Sequence, residues 1–323
     1  MARTHALLLA SAAVALLALL ASPSRTAASS SSSEVEWIEV SPSSSSSSSP
    51  SSDGPVGDDT WAVIVSTSRY WLNYRHATNA FAMYRAVKRM GVPDSRILLM
   101  VAEDFSANPR NVFPNALFAD PGLGTDVRAG DAEVDYAGDE VTAETLVRVL
   151  TGRQDPRTPR SRTLGSTATS DVWVYVTGHG GENFMKFQDS EQMTGEDLAD
   201  AVDSMSRLGR YGRLALVVDT CKASTWCRHL SSPHVSCLAS SLRGENSYSA
   251  HASRVVGNSL VDEMTYLLHL ELARRARGGA GGSALVDPGE GENTWRALRR
   301  RQEASTPFFS HHHQKTDDDV RVE

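Results

Sequence analysis

Cysteine is scarce in this chain. Its 323 residues contain three, Cys221, Cys227 and Cys237, all in one short stretch. So clustered, they exclude a disulfide framework for the whole fold, and the odd count leaves at least one thiol free or paired outside the chain. An excess of basic charge is also missing: 32 Lys and Arg face 39 Asp and Glu, for a net charge of -7. The short basic run at 296–302, RALRRRQ, lies among acidic neighbours, so no nucleic-acid partner is implied. Beyond the first residues there is no apolar run long enough to cross a bilayer. The late stretch MTYLLHLELA is interrupted by His269 and Glu271 and has amphipathic spacing.

The two ends of the chain are set apart by composition. Residues 1–28 begin with Arg3, continue through an apolar run from Ala6 to Leu20 and end in small residues, the pattern of a cleavable secretory signal. Serine dominates residues 29–59, which predicts a disordered linker because little apolar surface is available to bury. Residues 278–323 form a glycine-rich and polar tail. Between them, 60–277 carries the foldable pattern. TWAVIVSTS (60–68), RILLMVA (96–102), VWVYVTG (172–178), RLALVVDT (213–220) and HVSCLASS (234–241) read as buried strands. Helical spacing appears in TNAFAMYRAVKRMG (78–91), VTAETLVRVLTG (141–152), TGEDLADAVDSMSRLG (194–209) and the segment after Leu260. Near-continuous apolar strands alternating with amphipathic helices predict an α/β fold, a mostly parallel sheet with helices on both faces.

In such sheets ligands bind beyond the carboxyl ends of the strands. His179, flanked by Gly178, Gly180 and Gly181, follows one strand end, and Cys221 follows the next strand in the chain. A histidine in a glycine turn is by itself either a polar loop residue or a functional group, and an isolated cysteine is often a small core residue. The apolar run stops at Asp219, however, and Cys and His at neighbouring strand ends are the pair a thiol nucleophile and its base require. Cys237, inside HVSCLASS, fits a core position; Cys227 reads as a loop thiol, with a bond to Cys237 left open.

An apolar strand ending in His-Gly, then one ending in Asp-Thr-Cys, resembles the caspase and legumain clan of cysteine peptidases, with its caspase-like three-layer fold. Within the clan, WAVIVSTSRYWLNYRHATNAFAMYRAVKRMGVPDSRILLM, NPRN, EVDY, TGHGGENFMKFQDSE and DTC are similar to the family of GPI transamidase catalytic subunits. The resemblance implies Cys221 as nucleophile, His179 as base, Asn73 orienting the imidazole, and the N–H groups of Gly180 and Cys221 as an oxyanion hole. It also implies that Arg75 and Ser247 line the substrate site. Asp94, Glu133 and Asp135 would hold a structural calcium ion, with no catalytic cofactor. The partners it implies are the other subunits of a GPI transamidase complex, the C-terminal signal of a proprotein and a GPI glycolipid, in the lumen of the endoplasmic reticulum. Association with the membrane would then come through partner subunits.

Two departures stand out. Lys222 follows the nucleophile where glutamine is usual, adding a positive charge, and Ala107 replaces a cysteine that in some members bonds a partner. A legumain-like endopeptidase shares the strand-end pattern, and a catalytically silent scaffold is disfavoured by the intact Cys221, His179 and Asn73.

Overall fold

The computed structural model describes residues 59–277, except residue 129. The expected signal, the serine-rich linker and the C-terminal tail lie outside the described residues. In chain order the main elements are β1 (Thr60–Ser66), α1 (Tyr74–Arg89), β2 (Ile97–Val101), β3 (Tyr136–Ala137), α2 (Ala143–Thr151), β4 (Asp171–Thr177), β5 (Gly180–Gly181), β6 (Phe184–Phe187) and β7 (Glu191–Thr194). There follow α3 (Gly195–Arg207), β8 (Arg213–Asp219), the short α4 (Ala223–Cys227), β9 (Val235–Ala239), β10 (Ser249–Ser253), β11 (Asn258–Asp262) and α5 (Glu263–Arg277).

Six strands form one sheet in the order β3-β2-β1-β4-β8-β9, and every pairing in it is parallel. Side chains on a strand alternate between faces, so an apolar strand in the middle of a sheet feeds two cores. In β1, Ala62 and Ile64 face one core while Val63 and Val65 face the other. The first core is closed by α1 and α5, through residues such as Phe81, Met83, Leu268 and Leu272. The second is closed by α2, α3 and α4, through Leu146, Leu198, Val202 and Trp226. This is the three-layer α/β arrangement that the strand and helix spacing predicts.

Local signals set the helix ends. Thr142 caps α2 by accepting from Thr145 N–H, and Gly152 ends that helix in the left-handed conformation. Thr194 and Asp197 form a reciprocal capping box at the start of α3. Helix α1 begins four residues earlier than its apolar spacing suggests, so the chain leaves β1 and enters the helix directly after Asn73.

Two small antiparallel units accompany the sheet: β5-β6-β7, directly after His179, and the hairpin β10-β11. Neither was expected from sequence. The residues of β10 are small and partly exposed, and β5 is two glycines, so they carry little periodic signal. The structure also joins Cys227 to Cys237 in a disulfide, the pairing that the sequence left open beside a loop thiol and a core residue. Helix α4 brings Cys227 over β9, and Cys221 is left as the free thiol among the described residues. None of the described helices is long and apolar enough to cross a membrane.

Candidate active site

The chain builds β1, β2 and β3 outward in one direction, then returns to the other side of β1 to build β4, β8 and β9. The strand order therefore reverses between β1 and β4, and at such a point the loops leaving the carboxyl ends diverge and open a crevice. Asn73 follows β1, His179 follows β4 and Cys221 follows β8. Thr177 and Asp219 are register partners across β4 and β8. His179 and Cys221 each lie two residues further on, so they leave the sheet at the same level from strands that run about 4.8 Å apart. The ladder continues past the named strands, with Gly178 N–H donating to Asp219 at 3.3 Å and Thr67 N–H donating to Thr177 at 3.0 Å.

His179 Nε2 lies 2.8 Å from Asn73 Oδ1. The orientation of the amide is set from its other side, because Asn73 Nδ2 donates to the Arg69 carbonyl at 2.6 Å. Only Oδ1 can then face the ring, so Nε2 carries the proton and Nδ1 keeps its lone pair. Burial lowers the basicity of His179 and the nearby charge of Arg75 lowers it further; Asp189 pulls the other way, and Lys186 adds a smaller lowering. The imidazole is thereby held neutral, the form a general base needs.

Gly180 is required by close approach. A Cβ on it would meet Thr220 Oγ1 at 2.6 Å and the Phe184 carbonyl at 2.8 Å, so only a bare backbone fits against the residue preceding Cys221. Arg75 donates through Nε to Asp262 Oδ1 at 3.0 Å. Ser247 donates to Asp219 Oδ1 at 2.7 Å, and Thr265 to Asp219 Oδ2 at 2.5 Å. Arg75 and Ser247 thus reach acids at the ends of β11 and β8, on the side where the central strands end.

Beneath them lies a buried polar network that the sequence reading did not include. His76 Nδ1 meets Ser68 Oγ at 2.8 Å, its Nε2 lies 3.7 Å from Asp262 Oδ2, and its ring packs edge-on against His179 with centroids 4.9 Å apart. Full burial, Arg75 and His179 hold His76 neutral. Asp262 also accepts from Asn79 Nδ2 at 2.6 Å, and burial together with the Asp219 charge pushes its carboxyl up to about 7. His76 follows Asn73 closely, in NYRH (73–76), and Asp262 interrupts the apolar run SLVDEM. An acid at the end of such a run was the available signal for the second.

The expected calcium ligands lie elsewhere, around the start of β2. Asp135 Oδ2 accepts from Leu99 N–H at 2.8 Å, and burial, Glu133 and Asp94 raise its carboxyl to about 6. Mutual repulsion of three carboxylates is what a cation relieves, so the residue types fit. Asp94, however, is engaged by Tyr84 and lies 3.5 Å from Lys88 Nζ. No group of three or more His, Cys, Asp or Glu among the described residues is arranged to hold a metal.

A His and a free Cys past the carboxyl ends of neighbouring strands of a doubly wound α/β fold are the pair a thiol nucleophile and its base require. The chain belongs to the Peptidase C13 family, whose model matches residues 60–269. It is 46% identical over 208 residues to the GPI-anchor transamidase of Homo sapiens, covering 64% of this chain and 53% of that one. It is 43% identical over 208 residues to that of Schizosaccharomyces pombe, covering 64% and 55%. The Saccharomyces cerevisiae GPI-anchor transamidase matches at 43% over 208 residues, covering 64% and 51%. The chain spans about half the length of these three curated relatives.

Proposed function

We propose that this chain is the catalytic subunit of a GPI transamidase, working through Cys221. The observation that carries the reading is the alignment of a free cysteine and an Asn73-oriented histidine at equal register past β8 and β4. Nδ1 of His179, left basic by the Asn73 contact, takes the thiol proton as Cys221 Sγ attacks the carbonyl of the proprotein. Oxyanion charge develops on the attacked carbonyl, and the N–H groups of Gly180 and Cys221 are assigned to stabilise it. The imidazolium then protonates the departing amide nitrogen, leaving a thioester. An ethanolamine amine from a GPI lipid attacks that thioester, its proton passes to His179, and Cys221 is regenerated. Partial burial of His179 and of the Asn73 contact limits water at the reacting atoms.

Proprotein C-terminal signals, GPI lipid, companion subunits and a place in the endoplasmic reticulum lumen belong to the same proposal, as does attachment to the membrane through those subunits. Asp94, Glu133 and Asp135 are proposed to bind calcium as a structural ion, with no part in the reaction. Chelation should then lower the melting temperature and added calcium should restore it. Unchanged melting with and without chelator overturns the calcium proposal.

The function is tested by incubating the purified complex with a proprotein and a small amine. Amide product is expected, and its loss with Cys221→Ala. Hydrolysis alone supports a legumain-like endopeptidase instead, and absence of turnover supports a silent scaffold.

A further inference from the structure

Asn73 fixes only one point of the catalytic ring. It meets His179 at Nε2, which lies close to the line of the Cβ–Cγ bond, whereas Nδ1, the nitrogen left for the thiol, stands further to one side. Turning the ring about that bond therefore moves Nδ1 more than Nε2, and this torsion is intrinsically broad. The residues on either side of His179 are Gly178 and Gly180, which offer no side chain as a wall. A second contact is needed to hold the plane of the ring.

His76 makes that contact. Its ring meets the His179 ring at an interplanar angle of 80°, with centroids 4.9 Å apart, an edge-to-face arrangement. His76 follows Asn73 by three residues, in the first turn of α1, a spacing that puts both side chains on one side of the helix. One helical turn thus reaches His179 at two points. His76 is itself locked: it is 2% exposed, Ser68 Oγ lies 2.8 Å from Nδ1, and Asp262 Oδ2 lies 3.7 Å from Nε2. Asp262 is fixed in turn, because Arg75 Nε donates to Oδ1 at 3.0 Å, Asn79 Nδ2 donates to Oδ2 at 2.6 Å, and Asp262 N–H donates to Asn79 Oδ1 at 2.9 Å. A ring so held, and kept uncharged by its burial, is a rigid wall that does not repel an imidazolium formed beside it.

We propose that His76 is a positioning residue, a brace that keeps Nδ1 of His179 aimed at the reacting atoms while the imidazole is neutral and again once it is protonated. The inference rests on the pairing of Cys221 with His179 in the reading above, and holds for amide transfer and for hydrolysis alike. Asn73 selects which nitrogen carries the proton; His76 fixes the direction in which the other one points. His76 neither takes nor gives a proton. The step most exposed to a wandering ring is the one in which the imidazolium protonates the departing nitrogen, because an amine does not leave the tetrahedral intermediate until that proton arrives. A leaving group that departs as a stable anion makes no such demand.

The test uses the whole complex and one donor peptide in two forms, an amide and a benzyl thioester, with rates taken above the background of Cys221→Ala. The readout is the ratio of kcat/KM for the amide to kcat/KM for the thioester, which does not depend on how much active enzyme is present. In His76→Gln, which keeps a polar group but no ring, the ratio should fall about tenfold, a part of what a well-placed acid–base group contributes. In His76→Phe, which keeps a ring but no nitrogen, it should stay within about threefold of the wild type, because the edge-to-face contact survives. An unchanged ratio in His76→Gln overturns the brace, since a residue that only stabilises the fold lowers both rates together. So does a ratio in His76→Phe as low as that in His76→Gln, since the nitrogens and not the ring would then matter. If His76→Phe does not fold, the ratio in His76→Gln decides alone. No turnover of either donor by the wild type, or equal turnover by Cys221→Ala, overturns instead the reading of the site on which the brace depends.

Discussion

At the scale of single residues, the proton on His179 is placed by a contact one step removed from the ring. Because the Arg69 carbonyl holds Asn73 Nδ2, the amide oxygen has to meet Nε2. Asn73→Ala should therefore free the ring to turn and lower kcat/KM on the order of 10²-fold, the typical cost of a misplaced catalytic group. A fall smaller than about threefold would show that the ring is held by other contacts. His179 titrates below its ordinary value of 6.5 because of burial and Arg75, so the acid limb of kcat/KM should lie below pH 6.5. A limb at or above that value contradicts a neutral resting base. Asp262 carries a stability signature of opposite sign to that of an ordinary paired carboxylate. It releases its proton near 3.8 unfolded and near 7 folded, so between those values the folded state holds the extra proton and stability falls as pH rises. Asp262→Asn should flatten the melting temperature between pH 6 and 7 relative to the wild type; equal slopes in the two proteins contradict the buried pairing. Cys221 and His179 were legible because each ends an apolar run. Asp262 was not, because its partner Asn79 lies 183 residues away and only folding unites them.

At the scale of elements, the turn after β4 carries the most demanding geometry. Gly180 faces Thr220 and the Phe184 carbonyl, so Gly180→Ala must displace either the turn or the start of the nucleophile segment. The expected outcome is loss of most activity with a folded protein, checked by kinetics together with circular dichroism; retention of full kcat would show that the turn has room. Strands β1, β4 and β8 were readable from their composition alone, since burial on both faces keeps every position between their end residues apolar. The hairpin β10-β11 and the strip β5-β6-β7 were not, because short strands with exposed or glycine positions lack that signature. The disulfide was left open for a similar reason. The separation of 10 residues between Cys227 and Cys237 does not reveal that α4 folds back over β9.

At the scale of the molecule, the parallel sheet brings together residues from four distant parts of the chain. Its reversal between β1 and β4 explains why the loops after β1, β4 and β8 converge on one crevice, with Arg75 and Ser247 beside them. The three-layer order was legible from alternating strands and helices, whereas the polar layer beneath the site depended on how α1 and β11 meet. The central claim is that the acyl group is carried by Cys221 before it reaches an amine. It is tested most directly by quenching the complex with a proprotein in acid, digesting it, and locating the acyl mass on the chain by mass spectrometry. The account predicts the acyl group on the peptide containing Cys221, its absence from Cys227 and Cys237, and its conversion to amide when amine is added before the quench. An acyl group on any other residue, or amide formation by Cys221→Ala, contradicts it.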